Sequence, residues 1–295
     1  MVEKRTVRLS LLAIVTCLVI GVCGCGKSEA SGEIAKTKIA IESDEGNEKG
    51  IYFYRDDLKI YGKLFLPEGE GPFPVVICSS PMGASLSYSL DVINDLNKNG
   101  IAGVCFDFAG AVANSKSEGS ITNYSVLTEA ADLTAVIGGM KSFPEIDKEN
   151  IFLWGHSIGG FVTSYVGCMY PEAIKGLILV EPSFQLHDQV REYFPEGSEI
   201  PDKVSSPFYA GGRYFRDALS FDIYDKLSSC TEKTLIMVGT VAPSIGAESP
   251  EYIEKAAERM PSVTIERIEG ATHQFTGQSR QTMIDATVKF VKENQ

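Results

Sequence analysis

Histidine is scarce in this 295-residue chain: there are three, His156, His187 and His273. No two of them stand at metal-ligand spacing and there is no C-x-x-C, so no metal site is expected. Basic residues are in deficit, with 27 Lys and Arg against 39 Asp and Glu and a net charge of −12. Without a basic cluster the electrostatic footprint of a nucleic-acid binder is missing, and no nucleic-acid partner is expected. Internal repeats and low-complexity tracts are also absent. Cysteine is sparse beyond residue 25, with Cys78 and Cys105 in apolar strand-like runs, Cys168 in a helix-like stretch, and Cys230. The expectation for these four is buried free thiols rather than disulfides.

What is present begins with a distinctive N-terminus. Lys4, Arg5 and Arg8 form a basic start, and Leu9 to Val22 is apolar apart from Ser10, Thr16 and Cys17. This run is short for a membrane span and reads as a secretory signal. It ends in Val22-Cys23-Gly24-Cys25, which resembles a bacterial lipobox; the small Gly24 favours Cys25 over Cys23 as the lipidated residue. Residues 1–25 are therefore expected to be a lipoprotein signal peptide and residues 26–36, polar and small, a tether. The domain, residues 37–295, is then anchored to the outer face of a cell membrane through lipid. Cleavage removes three cations and one anion and moves the net charge from −12 to −14.

Residues 38–66 alternate in the β manner and predict antiparallel hairpins. From residue 74 short apolar runs alternate with helical patterns. Strands are expected at 74–79, 102–107, 151–154, 176–180, 234–238 and 263–268. Helices are expected at 86–99, 126–141, 158–170, 249–259 and 279–293. Strands without polar alternation imply a mostly parallel sheet covered by helices on both faces. Residues 183–224 break this rhythm and hold nine of the chain's 28 aromatics. An insertion this long suggests a small substrate-covering cap.

Gly155-His156-Ser157-Ile158-Gly159 joins the apolar run Ile151–Trp154 to a helix-like stretch. In that setting G-x-S-x-G reads as a nucleophile elbow, a turn too sharp for flanking side chains that presents the Ser157 hydroxyl beside a helix N-terminus. A serine nucleophile needs a base. His156 lies inside the elbow, where it is expected to point away from the nucleophile and pack against neighbouring loops, and His187 lies in the cap. His273 follows the last strand, where the base belongs in the Ser…acid…His order.

These features together resemble the α/β-hydrolase fold, and in detail the cinnamoyl (feruloyl) esterases and related bacterial serine carboxylesterases. The likeness spans roughly residues 58–293: Gly62 to Pro67, Asp107-Phe108, the elbow, Asp222-Ile223-Tyr224-Asp225 in the cap, and Glu269 to His273. It implies an α/β-hydrolase domain with a cap and a small-molecule ester as substrate, with no cofactor required. It further implies an acyl-enzyme on Ser157, His273 as base, and an oxyanion hole from the N–H groups of Met82 and Ile158.

The sequence departs from this pattern at three places. Relatives carry an Asp after the penultimate strand, where this chain has Ala242; a methyl cannot orient an imidazole, and loss of the equivalent carboxylate costs about 10⁴ in turnover. The oxyanion loop reads Ser79-Ser80-Pro81-Met82-Gly83 instead of ending its strand in His-Gly. The turn after Asp107-Phe108 is Ala109-Gly110-Ala111-Val112-Ala113 rather than glycine-rich. Glu181, at the end of the run Leu177–Val180, is the expected replacement acid, since neighbouring strand ends can address one histidine. A carboxylate oxygen of Glu181 should then lie roughly 2.6–3.2 Å from His273 Nδ1. Glu248 and Glu251 are the alternative carboxylates. The functional alternatives are an inactive binding lipoprotein of the same fold and a small serine peptidase.

Overall fold

The computed structural model describes residues 33–204, 210–241 and 250–295. The proposed signal peptide with Cys23 and Cys25, most of the tether, Ala242 and Glu248 lie outside these residues.

The antiparallel start forms as the alternation predicts. Strands β1 (Ile39–Asp44), β2 (Glu48–Arg55) and β3 (Leu58–Phe65) are successive antiparallel neighbours. The apolar runs supply β4 (Phe73–Ser79), β5 (Ala102–Phe106), β6 (Ile146–His156), β7 (Gly176–Val180), β8 (Lys233–Gly239) and β9 (Val263–Ile268). They pair in parallel, giving one nine-stranded sheet of order β1-β2-β3-β5-β4-β6-β7-β8-β9. Every residue of β5 and β7 is buried, the pattern of a strand covered on both faces.

Alternate residues of one strand feed two separate cores. Val75 and Ile77 join the cluster containing helices α2 (Val126–Met140) and α3 (Ile158–Met169). Val76 and Cys78 join the cluster with α1 (Leu90–Lys98) and α8 (Gln278–Asn294). The α2 helix starts at a capping box, in which Ser125 Oγ accepts the Thr128 N–H and Thr128 Oγ1 accepts the Ser125 N–H. The cap segment folds into three short helices, α4 (Leu186–Tyr193), α5 (Gly212–Ala218) and α6 (Tyr224–Leu227), before β8; α7 (Pro250–Ala257) precedes β9. Much of its aromatic content packs inward: Phe184, Tyr214, Phe215 and Tyr224 are buried in the main core, whereas Tyr193 is 53% exposed.

One cysteine expectation fails. Cys168, at the end of α3, and Cys230, in the loop before β8, form a disulfide across 62 residues. Sequence distance conceals that α3 packs beside α6, which delivers Cys230 to its partner. Cys78 and Cys105 are free and buried, and burial pushes the Cys78 thiol up to about 12.

The strand β4 lies between β5 and β6, so successive connections leave to opposite sides of it. Clefts at the carboxyl ends of such strands are where open α/β sheets bind ligands. Register aligns those ends: Ser79 pairs with Gly155, His156 with Val180, and Val180 with Met237. The segments that follow β4, β6, β7 and β8 therefore emerge along one edge.

Candidate active site

Ser157 sits between β6 and α3 with φ +57° and ψ −121°, a conformation rare for a side-chain-bearing residue. It is held there by backbone: its N–H donates to Val180 O at 2.9 Å, and its own carbonyl accepts from Ser183 N and Phe161 N, both at 3.1 Å. The flanking glycines are sterically required. A Cβ on Gly155 would stand 2.3 Å from Gly159 O, and one on Gly159 would stand 2.3 Å from Ser79 O. The elbow thus packs backbone to backbone against the segment leading to Met82. The strain at Ser157 is sustained because its surroundings over-determine it.

Ser157, Ile158, Met82 and His273 line one cavity of about 200 Å³. Ser183, Gln274 and the cap residues Leu186, Gln189, Val190, Tyr193, Tyr214 and Phe215 complete it. Ile158 is the first residue of α3, so its N–H has no intrahelical acceptor and is available to a ligand oxygen. Met82 follows Pro81, which has no N–H, and presents the other candidate donor.

His273 lies in the loop between β9 and α8. Its Nδ1 is 3.9 Å from Glu181 Oε2, with both side chains nearly buried. This is ion-pair distance, longer than the expected 2.6–3.2 Å, and Nδ1 makes no hydrogen bond among the described residues. The other carboxylate oxygen is already engaged: Glu181 Oε1 accepts the Gly239 N–H at 2.6 Å. Glu181 also has φ +43°, and its N–H is tied to Met237 O at 2.9 Å. Of the alternative acids, Glu251 is exposed in the first turn of α7. His187 is on α4 beside Asp188, with its Nδ1 3.3 Å from Asp188 Oδ1, and does not line the cavity.

Two neighbours carry no signal in the motif itself. Ser183 Oγ lies 3.3 Å from Ser157 Oγ, so the candidate nucleophile is paired with a second hydroxyl rather than with the imidazole. His156 is fully buried, and its Nε2 lies 2.8 Å from the backbone oxygen of His273. Ser183 was visible as the residue two past Glu181. The packing of His156 against a neighbouring loop matches the expectation from sequence, but that this loop is the one carrying His273, 117 residues away, was not visible.

The altered turn after Phe108 is also anchored. Ala109 N–H donates to Asp132 Oδ2 at 2.8 Å, and Arg55 Nε donates to Oδ1 at 2.6 Å. Burial pushes Asp132 up to about 6 despite the adjacent Arg55 guanidinium. Asp107 accepts the Leu86 N–H and the Ser115 hydroxyl, both at 2.6 Å, fixing the far side of the Met82 loop. Among the described residues no cluster of three or more His, Cys, Asp or Glu side chains is placed to hold a metal ion.

Comparison with solved structures identifies the fold. The chain superposes on Est1E from Butyrivibrio proteoclasticus, solved with bound ferulic acid, with a TM-score of 0.73 at 21% identity, covering 82% of this chain and 98% of that one. An acetyl xylan esterase from Paenibacillus sp. R4 gives a TM-score of 0.65 at 15% identity, covering 88% of each chain. In sequence, protein phosphatase methylesterase 1 of Candida albicans is 27% identical over 133 residues, 44% of this chain. The match spans only 34% of that protein's own length. The family model described as serine aminopeptidase, S33, matches residues 70–268, and with the nine-stranded α/β-hydrolase sheet around the Ser157 elbow the chain belongs to that family of hydrolases.

Proposed function

We propose that the protein is a serine esterase that cleaves small carboxylic esters through an acyl-enzyme, tethered to the outer face of a cell membrane. Ser157 Oγ attacks the ester carbonyl carbon while His273 takes its proton. The resulting oxyanion is held by the N–H groups of Met82 and Ile158 at the N-terminus of α3. His273 returns the proton to the leaving alcohol, and water, activated by the same imidazole, releases the acid and restores Ser157. Glu181 orients His273 and stabilises its imidazolium. Ser157 must first rotate away from Ser183, and Nδ1 must close on Glu181; contacts of this kind tighten when substrate fills the site.

The observation that favours an ester over a peptide N-terminus is the charge of the cavity. An aminopeptidase must neutralise the substrate's α-ammonium, and no carboxylate lines this cavity among the described residues. An unpaired ammonium buried there would be costly. Leu186, Val190, Phe215 and Met82 instead offer an apolar surface, with Gln189 and Gln274 as neutral polar groups. The ferulic acid bound to Est1E and the acetyl xylan esterase of Paenibacillus sp. R4 accord with this chemistry. The competing reading, an inactive binding lipoprotein, draws on the 3.9 Å Glu181–His273 separation and the Ser157–Ser183 pairing.

Location rests on the basic and apolar N-terminus ending at Cys25, and is supported by the Cys168–Cys230 disulfide, a feature of oxidising compartments. Mass spectrometry of the mature N-terminus should find lipid on Cys25; an unmodified start elsewhere removes the anchor.

The activity is tested by a fluorophosphonate probe together with p-nitrophenyl acyl esters and aminoacyl p-nitroanilides. We expect label on Ser157 and turnover of the esters alone. Hydrolysis of the anilides would make the protein a peptidase, and the absence of both label and turnover would make it a binding protein.

A further inference from the structure

His156 occupies the second position of the elbow, yet its ring is buried and does not line the cavity, and both its nitrogens are engaged. Nε2 is 2.8 Å from His273 O, and Nδ1 meets the Tyr88 hydroxyl. A carbonyl oxygen can only accept, so Nε2 carries the proton, Nδ1 is the acceptor, and Tyr88 O–H donates. The hydroxyl is held in turn: Arg280 donates to Tyr88 Oη at 3.3 Å and to Tyr88 O at 2.9 Å, with its guanidinium over the ring at 4.8 Å. Asp91 closes the chain by accepting from Arg280 Nε at 2.9 Å and Nη2 at 2.8 Å.

We infer that His156 is a positioning residue for the base, with Tyr88, Arg280 and Asp91 fixing its tautomer, so that one hydrogen bond sets the distance between the His273 backbone and the nucleophile. The peptide unit that carries His156 also begins Ser157. No other residue of the elbow is hydrogen-bonded to the base loop among the described contacts, and the His156 ring also packs against the rings of His273 at 5.1 Å and Phe275 at 6.2 Å between centroids. Burial, with His273 and Arg280 nearby, pushes His156 down to about 3, so the ring stays neutral and keeps its single donor where the carbonyl needs it. The inference rests on the reading of His273 as the base.

Two measurements test it, and the first needs no activity. Nitrogen-15 NMR of the histidine-labelled full domain should show His156 as the neutral Nε2–H tautomer, unchanged between about pH 5 and 8, where a free imidazole titrates. A titrating His156, or one protonated on Nδ1, overturns the inference. The second measurement compares variants on an ester that the parent hydrolyses. His156→Leu should lower kcat about 100-fold with KM within about twofold, since a small misplacement of the base costs that much. His156→Gln, whose amide nitrogen reaches the same carbonyl, should recover most of the loss. A folded His156→Leu protein with parental kcat, or no recovery with Gln, overturns the inference. Should the leucine variant not fold, Tyr88→Phe decides: kcat should fall about tenfold at unchanged KM, and parental kcat rejects the role. If the parent hydrolyses no ester, the esterase reading fails and the NMR result alone decides the placement of His156.

Discussion

The Glu181 carboxylate bridges two loops: Oε2 faces His273 Nδ1 at 3.9 Å while Oε1 accepts the Gly239 N–H at 2.6 Å. One side chain therefore contacts both the end of β8 and the loop that carries His273. The Gly239 N–H gives the buried acid a fixed donor.

Glu181→Gln keeps an oxygen for Gly239 but loses the charge opposite His273. We expect kcat to fall by about 10²–10⁴ with KM nearly unchanged, because the carboxylate acts once imidazolium forms. Steady-state kinetics on a p-nitrophenyl ester checks this. A KM effect alone would move Glu181 out of the reaction and into substrate binding.

Ser157→Ala should reduce turnover to background and abolish fluorophosphonate labelling, while thermal unfolding stays within a few degrees of the parent. The φ of +57° is imposed by backbone contacts that the substitution does not touch. Gly159→Ala should behave oppositely, lowering stability by about 2 kcal/mol or more, since its Cβ would overlap the Ser79 carbonyl. Differential scanning calorimetry of the pair separates the chemical role from the steric one.

The Cys168–Cys230 bridge closes a 62-residue loop that contains the whole cap. Its removal by Cys230→Ser should cost about 2–4 kcal/mol, chiefly through the unfolded chain. Urea unfolding with and without reductant measures it. Equal midpoints for the parent in both conditions would show that the bridge is not formed.

Acid should destabilise the fold through His156. Its folded pKa of about 3 lies below the ordinary 6.5, so the unfolded chain binds more protons between these values. The contribution of the neutral ring is complete above pH 6.5 and is lost as pH falls toward about 3, with a slope on the order of 1.4 kcal/mol per pH unit. Buried Asp132, pushed up to about 6, opposes this slope in the parent. The His156 contribution should therefore appear as a difference in urea midpoint between the parent and His156→Gln that changes as pH falls below about 6.5.

The alternation of strands and helices was legible because each sheet strand is a continuous apolar run and each covering helix has a buried stripe. Ile151–Trp154 marked β6, although its exposed beginning at Asp147–Glu149 was hidden by charge. The cap helices were not legible. The aromatics of the cap are placed by contacts with the rest of the domain, as when Phe221, between α5 and α6, packs on Tyr165 and Phe161 of α3, and not by a repeat of their own. The disulfide was missed for the same reason, since only the packing of α3 against α6 joins its two halves. The approach of Glu181 to His273 followed from strand adjacency, but its engagement by the Gly239 N–H did not, since no sequence pattern reveals that contact.

The contact of Gly159 with the Ser79 carbonyl has a consequence for how this scaffold can diversify. Backbone meets backbone there, so neither the elbow nor the Met82 segment has room to drift, and new substrate preference cannot arise by remodelling either. The cavity's other wall comes from the insertion between β7 and β8, whose Leu186, Val190 and Phe215 are ordinary replaceable side chains. Variation in what the cavity accepts should therefore concentrate in residues 183–224, and libraries confined to that segment would vary the cavity wall without disturbing the elbow.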